Sequence, residues 1–481
     1  MMLIHLLYIV TFSIDLVTAG VIIFLERRDA AVTWAWLMVL LFVPIGGFLL
    51  YLLLGKKLNG VKMYRIRRMQ REFVNAIVEA QKTNLREGNI EFYDPFVQRY
   101  QDLIYMNLVS SYAVFTQDNR VEVFYDGQSK FISLLDTIRQ AKHHIHLEYY
   151  IFRPDRLGRQ LVSALIQKAN EGVEVRVLYD AVGSKGLHMD FFGDLIQAGG
   201  YVARFFPSIF PFFNPRMNHR NHRKLAIIDG RVGYIGGFNI GDEYLGRDVR
   251  FGAWRDTHLK IEGTSVLEMQ ALFLMDWNFA SKKRLRVTDD YFPLQPDTGD
   301  VGVQIVSSGP NSRSETIRNA YVKMIYLAKR QILIQSPYFI PDESLLTALK
   351  TAALSGVDVR IMLPDKPDHY LVYFASRFYL AELLEVGVKF YLYKNGFLHA
   401  KTVVIDSELA SVGTANLDIR SFKLNFEVNA VLYDSRIACR LADLFYTDIE
   451  KSSELTRELY QKRPHAVRIA ESCARLLSPI L

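Results

Sequence analysis

Two stretches of the chain carry the same few polar residues in the same order. In "NHRKLAIIDGRVGYIGGFN", residues 221–239, His222 and Lys224 are followed by Asp229 and Asn239. In "LHAKTVVIDSELASVGTAN", residues 398–416, His399 and Lys401 are followed by Asp406 and Asn416. A histidine two residues from a lysine, leading into an apolar β-branched run, puts both side chains on one face of a strand. Imidazole, with an unperturbed pKa near 6.5, can serve at neutral pH as a nucleophile or as a proton donor. Two histidines, two lysines and two asparagines therefore suit a phosphodiester. One neutral imidazole attacks phosphorus, the other protonates the leaving alkoxide, and the lysines and amides hold the non-bridging oxygens. This chemistry needs no metal and no organic cofactor. An attacking imidazole also needs an acceptor for its far N–H. Asp256 in "WRDTHLKIEG" and Glu427 in "NFEVNAVLYD" are the candidates.

Asp229-Gly230 and Asp406-Ser407 are turn signals, so the two aspartates are expected to fasten the motif strands. The glycines that follow, Gly236-Gly237 and Gly413, are expected to let the backbone approach a ligand closely. The "HHIH" of 143–146 is set aside as a metal site. It falls in a predicted strand, and its counterpart further along carries Arg330, Gln331 and Leu333.

The elements that position these residues are themselves duplicated. "AKHHIHLEYYIFRPD" at 141–155 lies over "AKRQILIQSPYFIPD" at 328–342, and "GVEVRVLYD" at 172–180 over "GVDVRIMLPD" at 356–365. Amphipathic helical stretches alternate with short β-branched runs in both halves, the pattern of an α/β fold. The reading is two similar lobes, each a mixed sheet flanked by helices, related by a pseudo-two-fold that brings two half-sites together. The first lobe is expected over 111–290 and the second over 300–481, with the seam in the Pro- and Gly-interrupted stretch 289–302.

The rest of the chain bounds the partner. A formal charge of +7 over 481 residues favours an anionic partner without choosing among nucleic acid, phosphorylated solute and acidic lipid. Cys439 and Cys473 form no CxxC pair, which argues against a disulfide framework. Residues 3–24 and 30–54 are apolar runs long enough to span a bilayer core, and 1–60 is read as a transmembrane hairpin. Its turn at 26–29 is neutral, whereas 56–71 holds seven Lys and Arg and no acid. That asymmetry places the remaining chain on the cytoplasmic side, and 61–110 is read as a basic juxtamembrane linker against anionic headgroups. "RFFPSIFPFF" at 204–213 is an aromatic approach to such a surface or part of the lobe core.

The paired H-x-K-x4-D motifs at His222, Lys224, Asp229 and His399, Lys401, Asp406 resemble the phospholipase D superfamily, over most of the chain from about residue 110. Within it, "NHRKLAIIDGRVGYIGGFNIGDEYLG", "WRDTHLKIEG" and the two apolar runs ahead of the repeat look like bacterial cardiolipin synthases. The resemblance implies two phospholipase D-like lobes sharing one site and a phosphatidyltransferase of the bacterial cell membrane. The expected reaction passes a phosphatidyl group from one phosphatidylglycerol to another through a phosphatidyl-histidine, giving cardiolipin and glycerol. It carries the six motif residues over as catalytic, with Asn239 and Asn416 at the substrate, and favours His222 as nucleophile and His399 as acid and base. The near-symmetry of the copies leaves that order open. A membrane-bound phospholipase D or a phosphatidylserine synthase would use the same chemistry with another acceptor. A nuclease would have no use for the apolar runs, and a membrane organiser without catalysis would not need two intact motifs.

Overall fold

The computed structural model describes residues 2–25, 30–43, 45–55, 68–207, 218–281, 283–296, 298–312 and 314–478. The turn at 26–29, most of the basic stretch (56–67) and 208–213 of the aromatic stretch lie outside them.

The duplication read from the sequence appears strand by strand. In the first lobe the strands run in the order Tyr201–Phe205, Glu174–Asp180, His144–Tyr149, Lys224–Ile228, Val232–Gly236, His258–Glu262 and Thr116–Phe124. The first three pair in parallel and the rest antiparallel. The second lobe repeats this order with Lys389–Tyr393, Asp358–Pro364, Gln331–Gln335, Thr402–Ile405, Leu409–Gly413, Asn425–Tyr433 and Val301–Ser308. An extra strand, Ser452–Leu455, lies on its outer edge. Thr116–Phe124 and Val301–Ser308, the equivalent strands of the two copies, pair with each other antiparallel. The pseudo-two-fold passes between them and makes one continuous mixed sheet. Helices cover its faces, and apolar side chains from both copies meet in one cluster that includes Leu225, Ile235, Val404, Val412 and Phe426.

Both motif aspartates are turn-fasteners, although the resemblance groups them with the catalytic residues. Asp229 and Asp406 have left-handed backbones, with φ of 54° and 53°. The Asp229 carboxylate accepts the backbone N–H groups of Lys142, His143 and His144 at 2.8 to 2.9 Å. Asp406 accepts those of Lys329, Arg330 and Gln331 at 2.7 to 2.9 Å. Each locks the start of the neighbouring antiparallel strand to the far end of its own motif strand, and lies about 15 Å along that strand from its lysine.

The segment 61–110 is more than a linker. Its helix Arg68–Glu87 and the helix Gln101–Ser111 pack, through Val78, Leu85, Leu103, Ile104 and Leu108, against Ile317, Tyr321 and Met324 of the second lobe. A segment that precedes the first lobe in sequence thus completes the core of the second.

At the N-terminus the helix Met2–Gly20 continues through wider turns over Val21–Leu25. The second apolar run is not one helix. Ala30–Phe42 ends, Ile45 has φ of 65°, and helix resumes at Gly46–Leu50 and Tyr51–Gly55. Pro44, which has no backbone N–H, falls in this interruption. Among the described residues no helix is long and apolar enough to cross a membrane. Ile22, Leu40 and Tyr51 hold the helical pieces together, while Leu16, Val17, Phe24, Trp34, Leu41 and Phe42 stay exposed.

Candidate active site

The strands Lys224–Ile228 and Thr402–Ile405 each start beside the pseudo-two-fold, and the residues just ahead of them carry the histidines. His222 and His399 are 8% and 9% exposed, enough for one edge of each ring to reach a substrate. The decisive feature is which carboxylate each imidazole meets. Nδ1 of His222 lies 2.9 Å from Oε2 of Glu427 in the second lobe. Nδ1 of His399 lies 2.6 Å from Oδ2 of Asp256 in the first. The two candidate orienting residues are brought to the site, and each lobe supplies the carboxylate for the other lobe's histidine. With Nδ1–H donated to a carboxylate, the Nε2 lone pair faces the site.

The carboxylates are themselves held. Glu427 also accepts the Thr414 hydroxyl at 2.6 Å and the Asn425 side-chain N–H at 3.1 Å. Asp256 accepts the Thr257 backbone N–H at 2.7 Å. Gly237 makes this possible, because a Cβ there would stand 1.9 Å from Oδ1 of Asp256. The glycine expected to admit a ligand therefore admits a carboxylate. Gly413 has the same relation to the Asn429 side chain, 2.2 Å from such a Cβ.

Charges cross between the lobes as well. Burial pushes His222 down to about 4, with Lys224 and Lys401 adding to the effect and Glu427 opposing it. Burial and Lys401 push His399 down to about 4 against Asp256, and Lys224 contributes from the other lobe. Lys224 is lowered by burial to about 7 and Lys401 to about 8. Burial alone would raise both carboxyls. Lys401 and His399 outweigh it at Asp256, and His222 and Lys224 at Glu427, so both stay below the usual carboxylate range. At neutral pH the free site thus holds two neutral imidazoles and two carboxylates, offset by a mostly charged Lys401 and a partly charged Lys224. An entering phosphodiester adds one negative charge, which favours protonation of one imidazole. Such an arrangement can generate an acid on binding an anion.

A pH profile follows from these directions. As pH rises through 7 and 8 the lysines lose the charge that draws the anion, so kcat/KM is expected to fall on the alkaline side. Lys224→Arg, which stays charged, should move that limb upward by about one unit even if kcat drops. A limb that stays in place in the variant would show that Lys224 does not set it.

The asparagines are braces first. Oδ1 of Asn239 accepts the Ile151 N–H at 3.0 Å and its Nδ2 donates to Tyr244 at 3.3 Å. Asn416 donates to Asp418 at 3.1 Å. Each amide retains one further N–H. Sequence reasoning missed Tyr150, whose ring meets His222 edge-on at 4.8 Å, and Trp254, 5.2 Å from His399. It also missed the supports beneath the motifs, where Asn221 donates to Glu148 at 2.5 Å and Arg255 to Asp448 at 2.7 Å. Their only signal was position in the repeat, since Glu148 aligns with Gln335, which donates to Asp448 at 2.9 Å. Phe205 and Phe206 pack on Phe279 and Phe426 in the core. His144 and His146 share Gln270 at 3.0 and 2.9 Å, and His146 stacks on Phe273. Among the described residues no group of three His, Cys, Asp or Glu could hold a metal.

The arrangement has counterparts among known proteins. The family model described as cardiolipin synthase, PLD-like domain, matches residues 134–277 and 321–449, one block in each lobe. Cardiolipin synthase of Listeria innocua is 52% identical over 99% of both chains. The major cardiolipin synthase of Bacillus subtilis is 52% identical over 98% of both. The chain belongs to the cardiolipin synthase family. A second model, phospholipase D-nuclease N-terminal, matches residues 13–56, so the family relationship extends over the apolar N-terminus. The crystal structure of a phosphatidylserine synthase from Haemophilus influenzae superposes with a TM-score of 0.59, over 75% of this chain and 95% of that one. At 14% identity it shares the two-lobed fold. Like the relatives it matches, the enzyme is a phosphatidyltransferase.

Proposed function

We propose that the enzyme transfers a phosphatidyl group from one phosphatidylglycerol to the terminal hydroxyl of a second, releasing glycerol. The observation that carries this reading is the exchanged pair of imidazole–carboxylate contacts, His222 with Glu427 and His399 with Asp256. His222 attacks phosphorus through Nε2, and His399, protonated once the anion is bound, gives its proton to the departing glycerol oxygen. His399 then takes the proton of the acceptor hydroxyl. The new O–P bond forms as the P–N bond to His222 breaks. Lys224, Lys401 and the remaining N–H groups of Asn239 and Asn416 stabilise the charge on phosphorus. One phosphodiester replaces another, so no energy source enters the cycle.

The apolar side chains left exposed on the N-terminal helices support insertion of 3–24 and 30–54 into a bilayer. Such insertion would hold the lobes at the cytoplasmic face of a bacterial membrane, with the basic stretch on anionic lipid. The test is product analysis of the purified full chain in mixed micelles with labelled phosphatidylglycerol. Cardiolipin and glycerol in equal amounts are expected. Phosphatidic acid in place of cardiolipin would make the enzyme a hydrolase and overturn the reading.

A further inference from the structure

Arg220 stands two residues before His222 and takes no part in the chemistry above. It is 3% exposed, and neither terminal nitrogen of its guanidinium has a hydrogen-bond partner. A buried cation without hydrogen bonds is costly, so its presence calls for a function. Asp180 is near enough to attract it. That carboxylate, however, already accepts the backbone N–H groups of Val182, Gly183 and Asn221, each at 2.9 Å.

The direction of the side chain follows from its neighbours. Asn221 and Arg223 reach one buried cluster, on Glu148 and Asp276. Arg220 precedes Asn221 in the short strand Arg220–Asn221 and so leaves the backbone on the face opposite to it, toward the side where His222 and Lys224 meet Tyr150. The Tyr150 ring joins the groups on that side. It meets His222 edge-on, lies 5.5 Å from Nζ of Lys224, and its phenol senses the charges of both Arg220 and Arg420. Arg420 is anchored on Asn218, at 3.1 Å to Oδ1 and 3.0 Å to the backbone carbonyl, and its charge opposes that of Arg220. Asn425 pairs in register with Arg220, and its buried Oδ1 has no partner. Arg220 is two residues from His222, a reach of at most about 7 Å of backbone, the scale of a three-carbon bridge between two phosphates.

We infer that Arg220, with Arg420 beside it, binds the phosphodiester of the acceptor lipid while its free hydroxyl meets the phosphorus on His222. This inference rests on the phosphatidylglycerol-transfer reading and adds how the acceptor is chosen. Phosphatidylglycerol carries a phosphate one glycerol bridge from the attacking oxygen, whereas water and free glycerol carry none. A guanidinium fork suits two phosphate oxygens better than an ammonium does.

The experiment sets two acceptors against each other in one mixed-micelle reaction of the full chain with phosphatidylglycerol and labelled glycerol. Cardiolipin formation needs the phosphate-bearing acceptor, and label appearing in phosphatidylglycerol reports the bare one. Arg220→Gln is expected to lower the ratio of cardiolipin to exchanged glycerol at least tenfold, with Arg220→Lys between it and the wild type. An equal loss of both reactions would assign Arg220 to the fold or to the donor, and an unchanged ratio would remove it from the site. Either result overturns the inference. With soluble acceptors, the wild type should prefer glycerol 3-phosphate to glycerol, and equal use of the two would also overturn it. A wild type that exchanges glycerol but makes no cardiolipin would instead overturn the reading of the reaction.

Discussion

Glu427→Gln and Asp256→Asn are each expected to cut cardiolipin formation by about 10³- to 10⁴-fold while leaving the fold intact. Both replacements keep the shape of the side chain. At position 427 the amide oxygen can still accept the Thr414 hydroxyl, and at 256 it can still accept the Thr257 N–H. The imidazole is what changes. An amide that turns its N–H₂ toward Nδ1 holds the ring with its proton on Nε2, which removes the lone pair facing the substrate. An amide that turns its oxygen there keeps the tautomer but gives up the negative charge that would stabilise an imidazolium. Loss of such a carboxylate from a histidine-dependent site typically costs a factor of this size. Turnover of labelled phosphatidylglycerol by each variant, beside its thermal unfolding curve, checks the point. Activity within tenfold of the wild type would show that the carboxylates are not needed to orient the rings.

That prediction depends on a part of the site that spacing in the sequence does not reveal. His222 and Glu427 are 205 residues apart, and His399 and Asp256 are 143 apart. Only the pseudo-two-fold brings them together, and a repeat seen in sequence does not say which half of a shared site each copy completes. The duplication was legible because strand alternation and turn residues recur within each copy. The supporting role of Asp229 and Asp406 was legible for the same local reason, a left-handed turn next to exposed backbone amides. The docking of Gln101–Ser111 on the second lobe was not, since its partners Ile317 and Tyr321 lie two hundred residues on and could equally have matched another apolar face. The interruption of the second apolar run was available in Pro44 and the Gly46-Gly47 pair, but hydropathy alone reads through both. Arg220 stands just ahead of the first motif, and its isolation is visible only once Asp180 is seen to be engaged by backbone.

The two histidines, equivalent in sequence and nearly so in burial, should separate when the leaving group no longer needs a proton. On phosphatidylglycerol, removing His222 is expected to abolish turnover, at least about 10⁴-fold, and removing His399 to cost about 10²- to 10⁴-fold. A phosphatidyl ester of p-nitrophenol departs as a stable anion. His399→Ala retains His222, Glu427 and both lysines, so with this donor it should release one equivalent of nitrophenolate and stop. It stops because no base remains to take the proton of an acceptor hydroxyl, and the phosphatidyl group stays on His222. Quenching in alkali protects the acid-labile P–N bond, and mass spectrometry of the peptide carrying residue 222 should then find the adduct. His222→Ala should give neither burst nor adduct. An adduct on His399 in the His222→Ala variant would reverse the roles without disturbing the shared site. The absence of an adduct in both would mean that the acceptor attacks phosphorus directly. In that case two imidazoles held by ionised carboxylates would be serving only as base and acid, and the neutral state that burial imposes on both would suit the base but leave the acid dependent on the substrate's own charge.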